Sequence, residues 1–451
     1  MRPTDDDDPG GSVAQDAILR HASKGETLTM SLDLTITPAE RAYLRELAKK
    51  QAEYASLPIM AERTALWYRH NALQGERPLV VMEMGTFERD MLPTPQCASP
   101  AAVEIERSLR RPIISHEEID DDKVVPNYFA IPWRIHLDEF GIEIATDRAE
   151  DAQGRAVAYH WQHPIKTLKA DFGKLKPATF RVDRAETRAW KTFAEEILGD
   201  ILPVVIKNTS LSWHAALCAK VVRLMSLEQM MYAMIDEPDE LHALMGYLRD
   251  NFLAYAKWQE REGLLTLNNG NDYAGAGSYG FTTELPTAAC RETGRVTTHD
   301  LWLNINSQET VSISPRMYGR FVHPYYRDIA AEFGLTYYGC CEPVHDIWTN
   351  YVSKLPHLRK VSISAWCNEE LMGEALRGSN VIYSRKPSPN FVGVGTTFDA
   401  DGFRAHIAKT LKAAAGCHAE IIFRDIYTVT GDRTKPGQAV KITRQAIEEL
   451  W

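Results

Sequence analysis

Two thiols and a carboxylate end the run Leu335-Thr336-Tyr337-Tyr338-Gly339-Cys340-Cys341-Glu342. The run is apolar, aromatic and β-favouring, which is the pattern of a buried strand delivering soft ligands at its carboxyl end. Cysteine thiolates with a carboxylate suit Zn²⁺ and leave one position for an exchangeable ligand. A disulfide between the two is disfavoured, because its geometry wants a Cα separation that neighbours reach only with strain. The plainer reading is a pair of buried thiols, since free cysteine is among the most buried residue types. Successive strand residues face opposite sides, so both thiols can serve one site only if the strand has already broken at Gly339.

Other residues could share that chemistry. Gln308 and Glu309 follow an apolar run and read either as a polar turn before a helix or as an amide and a carboxylate for ligation or proton transfer. Glu83 ends the run from Pro78 to Gly85 in the same way. His299 is either a ligand or a solvated residue before a strand, and Cys367 could be only a helix-start residue. Tyr273, Tyr279, Phe281 and Trp302 could wall an apolar substrate or simply pack in the core. Gly275-Ala276-Gly277-Ser278-Tyr279-Gly280 matches GxGxxG but opens no helix, so a mobile substrate-covering loop is the better expectation than a nucleotide site. His299-Asp300 and His345-Asp346 come with no nucleophile elbow, which points to surface or capping roles.

The elements that must position these residues alternate. Thr37-Pro38-Ala39-Glu40 announces a helix, and a second covers the Glu62 to Leu73 region. Strands are expected at Pro78 to Gly85, Leu202 to Ile206, Leu264 to Leu267, Leu301 to Ile305, Leu335 to Tyr338, Lys360 to Ile363, Asn380 to Ser384 and Glu420 to Phe423, with helices between them from Arg184 onward. Such alternation implies parallel pairing, and about eight strands favour a closed (β/α)₈ TIM barrel, an α/β fold with its chemistry at the carboxyl ends of the strands. Residues 1–34 read as a disordered tail, with Met30 an alternative start. Residues 35–77 read as a helical lead, and 78–451 as the barrel, with an irregular insertion over about 93–183.

The chain has 451 residues, is 44% hydrophobic and carries a formal charge of −10. That acidity argues against nucleic acid as a partner, and no run approaches the roughly 18 apolar residues of a membrane span. Seven cysteines in so long a chain do not form a disulfide scaffold and fit a reducing cytoplasm.

The run Ser314-Pro315-Arg316-Met317-Tyr318-Gly319-Arg320-Phe321-Val322-His323-Pro324-Tyr325 resembles the helix signature of the uroporphyrinogen decarboxylase superfamily. The Cys strand that follows and Thr434-Lys435-Pro436 before the last helix fit the same arrangement. Leu267-Asn268-Asn269, Gly277 to Gly280 with Glu284-Leu285-Pro286, Gln308-Glu309, Tyr338 to Pro343, Leu355 to Ser364 and Arg385-Lys386-Pro387 resemble its corrinoid-linked, demethylase-type methyltransferase branch. That resemblance implies a zinc-dependent methyltransferase passing a methyl group from a small O- or N-methylated donor to a separate corrinoid protein. It implies Cys341 as the metal thiol. Where such zinc enzymes often present His-x-Cys, the His position here is Gly339, and Val429 to Thr434 contains no Cys. The implied ligand set is therefore Cys341, Cys340, Glu342 and His299, with Glu309 as an alternative. Glu309 and Glu342 would be the catalytic carboxyl groups, and Glu83, Asn268, Tyr279, Trp302, Gln308 and Arg385 would bind substrate. No Asp-x-His-x-x-Gly corrinoid segment is present, so a partner must bring that cofactor. Barrels of this size commonly pair, which makes a homodimer a reasonable expectation. Two rivals stay open: decarboxylation of a small acid anchored by Arg385 and Arg424, and a non-catalytic ligand-binding barrel.

Overall fold

The computed structural model describes residues 34–150, 156–208 and 211–451. All but the last residue of the expected tail lie outside them. Helices α1 (Pro38–Ala55) and α2 (Pro58–Asn71) lead into strand β1 (Leu79–Met82). Helix α1 starts where expected because Thr37 and Glu40 form a reciprocal capping box over the first turn, with Pro38 at the first helical position. Next come helix α3 (Pro100–Ile114), strands β2 (Phe129–Ile131) and β3 (Ile135–Asp138), the hairpin β4 (Thr146–Glu150) and β5 (Ala156–Trp161), and β6 (Thr179–Val182), which returns to pair with β3. This is the irregular stretch anticipated between the first strand and Asp183.

From there helices and strands alternate: α4 (Arg184–Leu198), β7 (Val204–Ile206), α5 (Leu217–Met225), α6 (Leu227–Asp236), α7 (Pro238–Glu262), the short hairpin β8 (Tyr273–Gly275) and β9 (Ser278–Tyr279), then β10 (Trp302–Ile305). Helices α8 (Pro315–Phe321) and α9 (His323–Ala331), strands β11 (Leu335–Tyr338) and β12 (Leu358–Ile363), α10 (Glu369–Leu376), β13 (Ile382–Arg385), α11 (Ala400–Ala413), β14 (Ala419–Phe423) and α12 (Lys435–Leu450) complete the chain. The helical stretch between β10 and β11 is divided at Val322, because Pro324 has no backbone donor to continue α8 and starts α9 instead.

Six strands form one parallel sheet in the order β1-β14-β13-β12-β11-β10. The chain is thus a mixed α/β protein around a central parallel sheet. Two of the expected strands lie outside it. Val204–Ile206 pairs in parallel with Phe129–Ile131, and Leu264 to Leu267 forms no ladder. Side chains replace backbone pairing there: Asn268 exchanges hydrogen bonds of 2.9 and 3.0 Å with the Trp302 backbone, and Thr266 Oγ1 accepts from Asn208 N at 3.0 Å.

The two faces of the sheet differ. Val80, Met82, Ile421 and Phe423 pack with Phe403, Ile407 and Val440 of the covering helices. The other face carries Glu420, Ser384, Lys360, Tyr337 and Asn304, and against it lies the β8–β9 hairpin. Ser278 Oγ at the hairpin donates to Glu420 Oε2 at 2.8 Å, Lys360 Nζ reaches the same oxygen at 3.1 Å, and His70 Nε2 lies 3.0 Å away. All of these side chains are essentially unexposed. The glycine run therefore does not form the mobile cover that its composition suggested. A Cβ on Gly277 would lie 2.4 Å from Ile422 Cγ2, and one on Gly275 would lie 2.1 Å from Asn304 Cβ. The glycines are there to let a buried backbone approach the sheet.

Candidate functional site

Strand β11 ends at Tyr338, and Gly339 takes a left-handed φ of 97°. That break turns the next residues out of the pleat, so consecutive thiols meet: Cys340 Sγ lies 3.3 Å from Cys341 Sγ. The Cys341 thiol in turn donates to Gln308 Oε1 at 3.2 Å. Its bond to Cys340, then burial, push the Cys341 thiol pKa upward.

Glu342 has a different task. Its two oxygens accept from Ser307 N at 2.9 Å and Cys340 N at 2.8 Å, tying the loops after β10 and β11 together. Ser307 Oγ, Tyr338 Oη and Tyr318 Oη extend the same buried network. Burial raises the pKa of Glu342, while its backbone donors favour the charged form.

Glu309 sits in the turn beside Gln308, and its Oε2 is enclosed without a hydrogen-bond partner. Burial pushes this carboxyl up to about 7, and the charge of Glu342 adds to the shift. An enclosed acid with that pKa can give up or take a proton near neutrality.

Opposite these loops, Glu83 follows β1 and Arg424-Asp425 follows β14. Tyr273 Oη donates to Glu83 Oε1 at 2.8 Å, and Arg424 Nε lies 3.3 Å from Glu83 Oε2. Asp425 holds a left-handed φ of 59°, an uncommon conformation for a residue with a side chain. Enclosed polar atoms that make no hydrogen bond occur at these strand ends: Asn306 Oδ1, Glu309 Oε2 and Ser364 Oγ, together with Glu83 Oε2 and Arg424 Nε, which face each other as an ion pair. Buried polar groups are normally paired, so these atoms have hydrogen-bonding capacity left for a ligand.

The structure thus brings Cys340, Cys341, Glu342, Gln308 and Glu309 together, with Glu83 at the end of β1. It does not bring the others to them. His299 is exposed in the turn before β10, at the amino end of the sheet. Trp302 starts the same strand, bonds Gly280 O through its indole N–H and packs with Ala274 and Leu335. Asn268 pairs with the Trp302 backbone, and the Tyr279 ring packs 5.5 Å from Trp67. These three belong to the setting of the hairpin. Arg385 points away from the face that carries Ser384, because strand residues alternate. It pairs with Glu369 at 2.8 Å and donates to the Ser364 carbonyl, locking β13 to α10.

The four-residue metal set accordingly does not assemble as expected. His299 is at the wrong end, and the Glu342 carboxylate is taken by backbone amides. Two thiols converge, one short of the three protein ligands usual at catalytic zinc. Among the described residues, the one group of three His, Cys, Asp or Glu ligand atoms lying within 4.8 Å of one another is the more exposed His136, Asp183 and Glu186.

Several residues that matter were not singled out from sequence. Lys386 Nζ is buried, donating to Tyr337 Oη at 2.6 Å and Ser384 Oγ at 2.7 Å, and burial lowers its pKa to about 7. Glu420 anchors the interior network. Burial opposes its charge, yet Lys360 and His70 hold its carboxyl well below the usual range. A charged residue inside an apolar strand run, as in Glu420-Ile421-Ile422-Phe423, was the available signal.

No family model matches the chain, and no curated protein matches it. Twenty-two chains of known structure do match. One is a methyltransferase from Methanosarcina mazei, 12% identical, with a TM-score of 0.46 and 86% of this chain and 98% of that chain covered. A likeness of that depth leaves the functional reading to the residues themselves.

Proposed function

We propose that this protein is a methyltransferase that takes a methyl group from a small O- or N-methylated donor and passes it to a corrinoid carried by a separate protein. The observations that support the reading are the Cys340–Cys341 thiol pair at the end of β11 and the Glu309 acid in the turn after β10, whose pKa is about 7. The sequence resemblance to corrinoid-linked methyltransferases points the same way. In this reading the polar residues line the carboxyl-end mouth of a (β/α)₈ barrel, with the β2–β7 pair and the segment from Leu264 to Asn268 standing beside β10 as the remaining staves.

An ether is a poor methyl donor because its oxyanion leaves badly. As the methyl group departs, the donor oxygen keeps the C–O bonding pair and takes the Glu309 proton. Glu342 holds the loop that carries the thiols against the loop that carries Glu309, and Gln308 orients the Cys341 thiol. The partner's reduced corrinoid supplies the nucleophile. Zinc belongs to the proposal only as an ion that Cys340 and Cys341 would help to hold, and no step is derived through it. Val311, Trp366 and Val394, in the segments after β10, β12 and β13, are exposed and available to a docking protein.

Mixing the purified protein with reduced corrinoid and candidate methyl donors tests the proposal through the absorbance change of corrinoid methylation. Decarboxylation remains the competing reaction, with Arg424 left as its anchor now that Arg385 is engaged by Glu369. Carbon dioxide released from a carboxylated substrate without any corrinoid would favour it.

A further inference from the structure

Arg424 is a buried guanidinium with an unused edge. Its side chain is only 5% exposed. Both neighbouring carboxylates approach through Nε, Glu83 Oε2 at 3.3 Å and Asp425 Oδ1 at 3.4 Å. Nε itself is enclosed without a hydrogen bond. Among the described residues, no hydrogen bond is made by Nη1 or Nη2 either. A buried donor left unpaired costs about 1–3 kcal/mol, and more when charged. The Nη1–Nη2 edge of a guanidinium is one that takes both oxygens of a carboxylate in parallel.

The surroundings keep that edge available. Glu83 is itself held by the Tyr273 hydroxyl at 2.8 Å, and Gly277 N donates to the same hydroxyl at 3.1 Å, so the buried hairpin fixes the partner that fixes the arginine. Lys386 is the second cation on this side, held by Tyr337 and Ser384. The nearby thiols place the guanidinium beside the proposed reacting centre.

We infer that Arg424 is the residue that reads an anionic end of the substrate, and that the methyl donor is a small carboxylate gripped by the Nη1–Nη2 edge. The inference rests on the methyl-transfer reading for the word donor only; the grip itself is a binding property and is measured without corrinoid or turnover.

The test is equilibrium binding by calorimetry at pH 7.5 on the full chain. The probes are small carboxylates from methoxyacetate to 4-methoxybenzoate, each compared with its own neutral carboxamide. At least one carboxylate is expected to bind the wild type tenfold or more tightly than its amide. Arg424→Gln is expected to abolish that preference by weakening the carboxylate and leaving the amide unchanged, while Arg424→Lys restores only part of it. Should Arg424→Gln fail to fold, Arg424→Lys and the wild-type carboxylate-to-amide ratios still decide the matter. Equal affinities within every wild-type pair, no saturable binding of any carboxylate, or a preference that survives loss of the guanidinium would overturn the inference. A carboxylate preference that vanishes in Arg424→Gln, in a protein that transfers no methyl group, would uphold the grip and reject methyl transfer.

Discussion

Glu309→Gln should remove a large part of the pH dependence of stability. The folded-state pKa is raised to about 7 from an ordinary 4.5, because burial disfavours the charged carboxylate. A raised pKa in an acid means that the native state binds a proton more tightly than the unfolded chain. Its contribution is therefore fully present below about pH 4.5 and is lost as pH rises towards 7. Taking these two values, the contribution falls by about 2.5 kcal/mol between pH 5 and pH 8. Glutamine is uncharged throughout and has the same shape. Urea unfolding at pH 5, 6, 7 and 8 should show the wild type losing about 2.5 kcal/mol relative to Glu309→Gln over that range, with most of the loss between pH 5 and 7. Parallel pH profiles for the two proteins would refute the claim that this carboxyl is held protonated by burial. The same reasoning predicts methyl transfer that declines as pH rises through about 7, since only the protonated acid can supply the leaving oxygen's proton.

Three further perturbations test other parts of the account. Cys341→Ser should cut transfer and any zinc retained by the purified protein, measured by metal analysis, with the fold intact by circular dichroism; unchanged metal content and turnover would remove Cys341 from the site. Glu420→Ala leaves the Lys360 ammonium buried and unpaired, so denaturation should show a loss of about 3–5 kcal/mol, with Glu420→Gln losing less. Gly277→Ala sets a methyl group 2.4 Å from Ile422 at a φ of +85°, and a destabilisation of about 1–3 kcal/mol is expected; a neutral result would mean that the hairpin is not seated on the sheet.

Much of this architecture was legible because its signals are local. Thr37 and Glu40 write the first helix into four residues, and the apolar runs ending at Met82, Ile305, Tyr338, Ile363 and Phe423 are strands of the one parallel sheet. The thiol pair, Gln308, Glu309 and Glu342 were legible as polar residues just past such runs. What failed depended on long-range partners. Leu264 to Leu267 looks like a strand, but Asn268 satisfies the Trp302 backbone with its own side chain, and no composition rule shows that. His299 and Trp302 suggest a site by residue type, but His299 precedes β10 and Trp302 is its first residue, which puts both at the opposite end of the sheet. Arg385 was misplaced by one residue of alternation: Ser384 faces the interior, so Arg385 cannot. The glycine run was read as a cover because glycine signals both hinge and close approach, and the atoms facing Gly275 and Gly277 decide for close approach.

Methyl transfer itself is the claim on which the account stands. Under anaerobic conditions, the purified protein at pH 6.5 is mixed with a reduced corrinoid and an excess of methoxylated carboxylate, and the corrinoid spectrum is followed. The account predicts methylation that requires the protein, falls by at least tenfold in Glu309→Gln and slows when the wild type is assayed at pH 8.5. A spectrum unchanged by any donor in the panel, or methylation as fast in Glu309→Gln as in the wild type, would contradict it.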